Sequence, residues 1–230
     1  MMSASDPSAS DPSTSGMSAG KDDGVVVAFD VDGTLTTRDC VVPFLRRLAG
    51  RARLAGGVAL RPAAMTNALI RRDRDRFKAV AMRAAFAGRT AATVEGLGAD
   101  FARTVHGEWL RSDTAGRLAW HTAQGHHVVL VSASLGSYLH PLGELLGVDD
   151  VLCTEAVLGD DGRFTGAMVG ANCRGPEKVR RLHAWMDQQE LRGARLWAYG
   201  DSAGDREMLA AADHRFLVKG VVISATPGGS

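Results

Sequence analysis

The sequence is poor in cysteine, lysine and aromatic residues, and each shortage excludes something. Three cysteines, Cys40, Cys153 and Cys173, are too few and too irregularly spaced for a disulfide framework or a structural zinc site, and an odd number suits a reducing compartment. The seven histidines are scattered without metal-ligand spacing, so ordinary surface or core places are expected for them. No apolar run approaches the roughly 20 residues of a membrane span. Runs such as Val25 to Phe29 are only strand-sized. The net charge of +1 gives no reason to expect a nucleic acid partner. The first 23 residues, with SASDPS repeated at 3–8 and 8–13, lack the basic and apolar regions of a secretion signal. They read as a disordered tail on a cytoplasmic protein.

What remains is an ordinary globular composition, 45% hydrophobic and 23% charged, in a length that suits one α/β core with a modest insertion. GVVVAFDVDGT, HHVVLVSAS and LWAYGDSAGD each read as a buried strand running into a polar turn. Shorter runs at Val151 to Cys153 and Phe216 to Val218 offer two more. Helical segments lie between them: LGSYLHPLGELLG, and GPEKVRRLHAWMDQQELRG, which opens on Gly-Pro and closes on Gly193. Strands alternating with helices predict an α/β fold with a doubly wound parallel sheet. TEAVLGDDGRFTGAMVG carries the turn signal of a β-hairpin. The stretch after the first strand breaks the alternation and is rich in Ala, Arg and Leu at helical spacing. We expect a helical cap at 38–111, a core of 24–37 with 112–220, and a flexible tail from 221 to 230.

The polar strand ends carry the chemistry. In an open parallel sheet the carboxyl ends of the strands share one rim, where ligands bind. Asp30 and Asp32, Ser132, and Asp201 with Asp205 would meet there. Crowded carboxylates raise one another's cost of ionisation, and a cation relieves it. An all-oxygen ligand set with room for water and phosphate favours Mg²⁺ over Zn²⁺. A phosphoryl group also needs a cation and hydroxyl donors. Of the four lysines, Lys21, Lys78, Lys178 and Lys219, only Lys178 starts a helix between the second and third strand-end motifs. A carboxylate nucleophile splits a difficult displacement into two steps. Asp30 would take that role, with Asp32 as acid and then base.

FDVDGTLT, VSAS, GPEKVRRL and YGDSAGD, in that order, resemble the four motifs of the haloacid dehalogenase-like superfamily across Val25 to Val218. The resemblance implies a Rossmann-like core and Asp30 as nucleophile and metal ligand. Asp32 would be acid/base and ligand through its carbonyl. Ser132 and Lys178 would hold the phosphoryl group, with Asp201 and Asp205 at the metal. The helical insertion resembles subfamily IB, which includes phosphoserine phosphatases and lipid-phosphate phosphatases. Asp32 speaks against the dehalogenase branch, which lacks that acid. Relative to phosphoserine phosphatases, Gly33 stands for Ser, Asp39 for Glu and Gly204 for Asn. Arg83 lies one residue off their substrate-binding arginine. On this resemblance Asp39 and Arg83 are the candidate substrate contacts.

The expected reaction is Mg²⁺-dependent hydrolysis of a small anionic phosphomonoester, phosphoserine-like compounds included. From 38 to 111 the chain carries 15 Lys and Arg against 6 Asp and Glu. This surplus is either a solvated face or a site for anions through Arg38, Arg71, Arg72 or Arg83. The mixture of apolar and Arg residues in VVPFLRRLAGRARLAGGVAL adds a reading in which the cap rests on a membrane surface and the substrate is a lipid phosphate. Phosphomutase action and a non-catalytic binding module are the further alternatives. Oligomeric state is not legible.

Overall fold

Five strands pair in parallel in the order β3-β2-β1-β6-β7. They are β1 (Val25–Phe29), β2 (His127–Leu135), β3 (Asp150–Thr154), β6 (Arg195–Gly200) and β7 (His214–Leu217). The computed structural model describes residues 24–52, 55–56 and 74–227. The expectations for residues 1–23 and for Arg71 and Arg72 lie outside the described residues.

Every side chain of β1 is buried, as befits a central parallel strand covered on both faces. Val25, Val27 and Phe29 point to one layer, and Val26 and Ala28 to the other. The first layer is filled by α1 (Val41–Ala49), α2 (Arg74–Phe86), α3 (Ala91–Glu108), α4 (Ser112–Ala123) and α5 (Gly136–Leu146), through Phe44, Met82, Phe101, Leu118 and Tyr138. The second is filled by α6 (Pro176–Gln188) and α7 (Arg206–Ala211), through Leu182, Trp185 and Met208. The expected hairpin is present as β4 (Ala156–Leu158) against β5 (Phe164–Met168).

Three differences from the sequence reading have physical causes. α6 ends at Gln188, short of Gly193, because Leu191 turns into the core and its N–H closes on the Met186 carbonyl. Ser132 is not the last residue of its strand: β2 continues to Leu135 with a register shift against β3 after Val131. Residues 221–225, expected to trail freely, are fastened to α4. Arg111 donates to the Val221 carbonyl, Arg117 to those of Ser224 and Ala225, and the Ile223 N–H donates to Asp113.

The α1–α3 segment leaves and re-enters the core through two adjacent backbone strips. Thr37 N–H donates to the Trp109 carbonyl and Arg111 N–H to that of Leu35. Whatever α1 to α3 do, their two ends are tied together a few residues from Asp32.

Candidate active site

The carboxyl ends of β1, β2 and β6 bring Asp30, Asp32, Ser132, Lys178, Asp201 and Asp205 around one cleft of about 320 Å³. Asp30 is buried at its floor. Its Oδ1 accepts from Lys178 Nζ at 2.6 Å and its Oδ2 from the Thr34 hydroxyl at 3.1 Å. Burial pushes the Asp30 carboxyl up to about 7, with Lys178 pulling the other way. The same lysine donates to Asp205 Oδ1 at 2.6 Å. Lys178 is itself fully enclosed. Burial alone would lower it, but its two carboxylate partners hold it up at about 12, so it stays a cation.

Asp32 is held from two sides: Oδ1 accepts the Cys40 N–H at 2.8 Å, and Oδ2 the Ser134 hydroxyl at 2.6 Å. Ser134 in turn accepts from Tyr138 at 2.7 Å. Burial, followed by the charge of Asp39, raises the Asp32 carboxyl above its ordinary range. An acid that must carry a proton at neutral pH gains from that environment. Ser132 Oγ accepts the Ser134 N–H at 3.1 Å, which leaves its own proton to donate elsewhere.

The donor set fits a hard cation. Asp30, Asp201 and Asp205 can each turn an oxygen to a common point, the atoms lying within 4.8 Å of one another. Gly33, at φ 82°, allows the approach, since a Cβ there would lie 2.5 Å from Asp201 Oδ2. Three carboxylates against one lysine leave excess negative charge for a divalent ion to neutralise. Asp205 is already heavily used: besides Lys178, it accepts from Ser202 N–H and Oγ at 3.0 and 2.9 Å.

A second cavity of about 540 Å³ adjoins the first, sharing Asp32, Asp39, Ala133 and Arg174. Its walls are mostly apolar: Val41, Val42 and Leu45 from α1, and Phe77 and Ala81 from α2. Asp39 lines both cavities, with Oδ2 accepting the Val42 N–H at 3.0 Å. Arg83, expected as a substrate contact, lines neither cavity. It lies five residues beyond Lys78, well over a quarter-turn round the helix, where its backbone meets Gly166 of β5 and its side chain is exposed.

Lys78 and Arg174 were missed. Lys78 is buried beneath the larger cavity, donating to Asn172 Oδ1 at 2.6 Å and to the Ala133 carbonyl. Burial lowers it to about 8. Its helix phase, shared with buried Ala81, Met82 and Ala85, turns it inward once α2 is packed. Arg174 lies against Gly204, where an added Cβ would meet its Nε at 3.0 Å. The glycine that departs from phosphoserine phosphatases is thus matched by a bulky cation filling the space.

The sheet, the acidic rim and the lysine define a hydrolase of the haloacid dehalogenase-like type. The chain belongs to that family, whose model matches residues 27–210. It is 37% identical over 191 residues to Protein CicA of Caulobacter vibrioides, covering 83% of this chain and 84% of that one. It is also 30% identical over 187 residues to phosphoserine phosphatase SerB2 of Mycobacterium tuberculosis, over 81% of this chain but only 42% of SerB2. Among solved structures, a Bordetella pertussis Tohama I protein of unknown function superposes with a TM-score of 0.64 at 22% identity, over 81% and 86% of the two chains. The enzyme is a phosphatase of this family, similar to its phosphoserine phosphatases.

Proposed function

We propose that the enzyme hydrolyses a phosphomonoester with Mg²⁺ through an aspartyl-phosphate on Asp30. The observation that carries this reading is Lys178 Nζ, 2.6 Å from Asp30 Oδ1 in a buried cleft that also contains Asp201 and Ser132. Asp30 attacks phosphorus as the alcohol departs, and Asp32 gives that alcohol its proton. Asp32 then takes a proton from water, whose oxygen attacks the phosphoryl-aspartate and frees inorganic phosphate with Asp30 restored. Lys178 and the Ser132 hydroxyl hold the phosphoryl oxygens throughout. Asp30, Asp201 and the Asp32 carbonyl would hold Mg²⁺, which supplies positive charge to the developing phosphoryl oxygens when bound. Asp205 serves chiefly to position Lys178. Residues 38–111 act as a cap that selects the alcohol, and three buried free cysteines are consistent with a cytoplasmic address.

A small anionic ester remains the simplest substrate. The apolar walls of the 540 Å³ cavity favour a second reading, in which the alcohol is itself largely apolar, as in a lipid phosphate, and the enzyme works at a membrane surface. No helix among the described residues is long and apolar enough to cross a membrane.

Phosphate release from a panel including phosphoserine, a sugar phosphate and a lysophosphatidate tests both readings. Mg²⁺-dependent turnover that falls by at least about 10³-fold in Asp30→Asn is expected, the scale of losing a covalent nucleophile. Unchanged turnover in that variant would sink the mechanism. The best ester in the panel decides between the two alcohols.

A further inference from the structure

Away from the phosphate cleft, three side chains of different chemistry converge at the edge of the sheet. His140 lies on the second turn of α5, Cys153 near the end of β3, and Glu155 just beyond it. His140 Nε2 is 2.7 Å from Glu155 Oε1, Cys153 Sγ is 3.0 Å from the same oxygen, and Sγ and Nε2 are 3.8 Å apart. Gly136 makes room for the group, since a Cβ there would collide with the Glu155 carboxylate.

We propose that His140, Cys153 and Glu155 form a second metal site, taking a borderline divalent cation of the zinc class and leaving its remaining position to water. The distances support this. Zinc bonds of about 2.3 Å to sulfur and 2.0–2.2 Å to nitrogen and oxygen place tetrahedral ligand pairs about 3.3–3.6 Å apart. The sulfur–nitrogen separation is already within a few tenths of an ångström of that. The Glu155 oxygen has to retreat by about 0.8 Å to fit, and a side chain 42% exposed has the freedom to do so.

Charge balance also permits it. Without metal, the Glu155 carboxylate raises the His140 imidazole above its ordinary value, and burial raises the Cys153 thiol. On binding, the thiol gives up its proton, and the cation joins thiolate, neutral imidazole and carboxylate. Thiolate and carboxylate together balance the two charges of the cation. Arg181, which donates to the Cys153 carbonyl, therefore meets no net positive charge. Because a proton leaves, binding strengthens as pH rises.

Ligand softness separates the two sites. The phosphate cleft offers carboxylate oxygens suited to Mg²⁺, whereas thiolate and imidazole favour zinc-class ions. A cation bound here ties α5, which begins just after the Ser132–Ser134 segment, to the edge strand β3.

The test is a Co²⁺ titration of the full chain with Mg²⁺ in excess to fill the acidic cleft. One equivalent should produce a thiolate-to-cobalt charge-transfer absorption that persists in Cys40→Ser and Cys173→Ser and disappears in Cys153→Ser. His140 is half exposed, so His140→Ala provides a variant that tests the site without opening the core. It should weaken Zn²⁺ binding by more than about 100-fold, beyond the 10–100-fold typical of outer-shell changes. No charge-transfer absorption in the unaltered chain would overturn the proposal. So would a band that survives Cys153→Ser, or unchanged Zn²⁺ affinity in His140→Ala with an unaltered circular dichroism spectrum.

Discussion

Asp205 carries two duties within one carboxylate: one oxygen holds Lys178, and the other receives both donors of Ser202. A residue so occupied acts through its lysine. Lys178→Met should lower kcat by about 10²- to 10³-fold, the scale of losing a preorganised donor to a reacting phosphoryl group. Asp205→Ala should cost roughly 10- to 100-fold by loosening that donor. The double variant should be little worse than Lys178→Met alone, because the two changes remove the same interaction. Steady-state phosphate release measures all three. If Asp205→Ala instead mainly raises the Mg²⁺ concentration needed for half activity, Asp205 is a direct ligand and the positioning role fails.

Among the elements, the contact between α3 and α5 fixes how the inserted helices meet the core. Gly98 makes that contact close, since a Cβ on it would overlap the Ser137 carbonyl. Phe101 packs edge-on against Tyr138 one turn further along, and Phe44 of α1 touches both rings. Tyr138 also anchors the hydrogen-bond chain that ends on Asp32. Displacing α3 therefore reaches Asp32, the proposed acid/base, through packing. Gly98→Val forces backbone apart, and overpacking of this kind costs about 1–3 kcal/mol. At about 2–4 °C per kcal/mol for a chain of this size, Tm should fall by roughly 2–12 °C. A calorimetric scan checks it, and an unchanged Tm would mean the two helices do not meet at Gly98.

For the whole molecule, pH acts through buried groups of opposite sign. His121 is fully buried between α4 and β6, with Nε2 2.9 Å from the Tyr199 hydroxyl and Nδ1 2.8 Å from His126. Burial, helped by His126 and Arg117, pushes it from 6.5 down to about 3. The folded state thus resists a proton the unfolded chain accepts. Its contribution is whole above 6.5 and is lost as pH falls toward 3. Asp30 runs the other way: raised to about 7, its contribution is present at low pH and lost as pH rises through 7. Asp30→Asn removes that second effect. In that background Tm should fall between pH 6.5 and 4, and adding His121→Gln should flatten the decline. An equally steep decline with Gln at 121 would show that other groups govern acid stability.

The parallel sheet and the hairpin were legible because their signals are local. A continuous apolar run such as Val25 to Phe29 needs cover on both faces, and the rule that parallel strands share one carboxyl rim brings Asp30, Ser132 and Asp201 together without coordinates. Lys178 was legible too, because it stands at a helix start among very few lysines. Helix phase over a packed surface was not. It turns Lys78 inward and Arg83 outward, and a position counted by resemblance cannot reveal that. Nor could the sequence join His140 to Cys153 and Glu155, because their approach depends on how α5 lies along β3. The sequence alone placed Asp30 and Asp32 at the end of a buried strand, since strand, turn and acid are contiguous there. Tertiary structure decided which side chains face the 540 Å³ cavity, because that depends on packing between segments far apart in the chain.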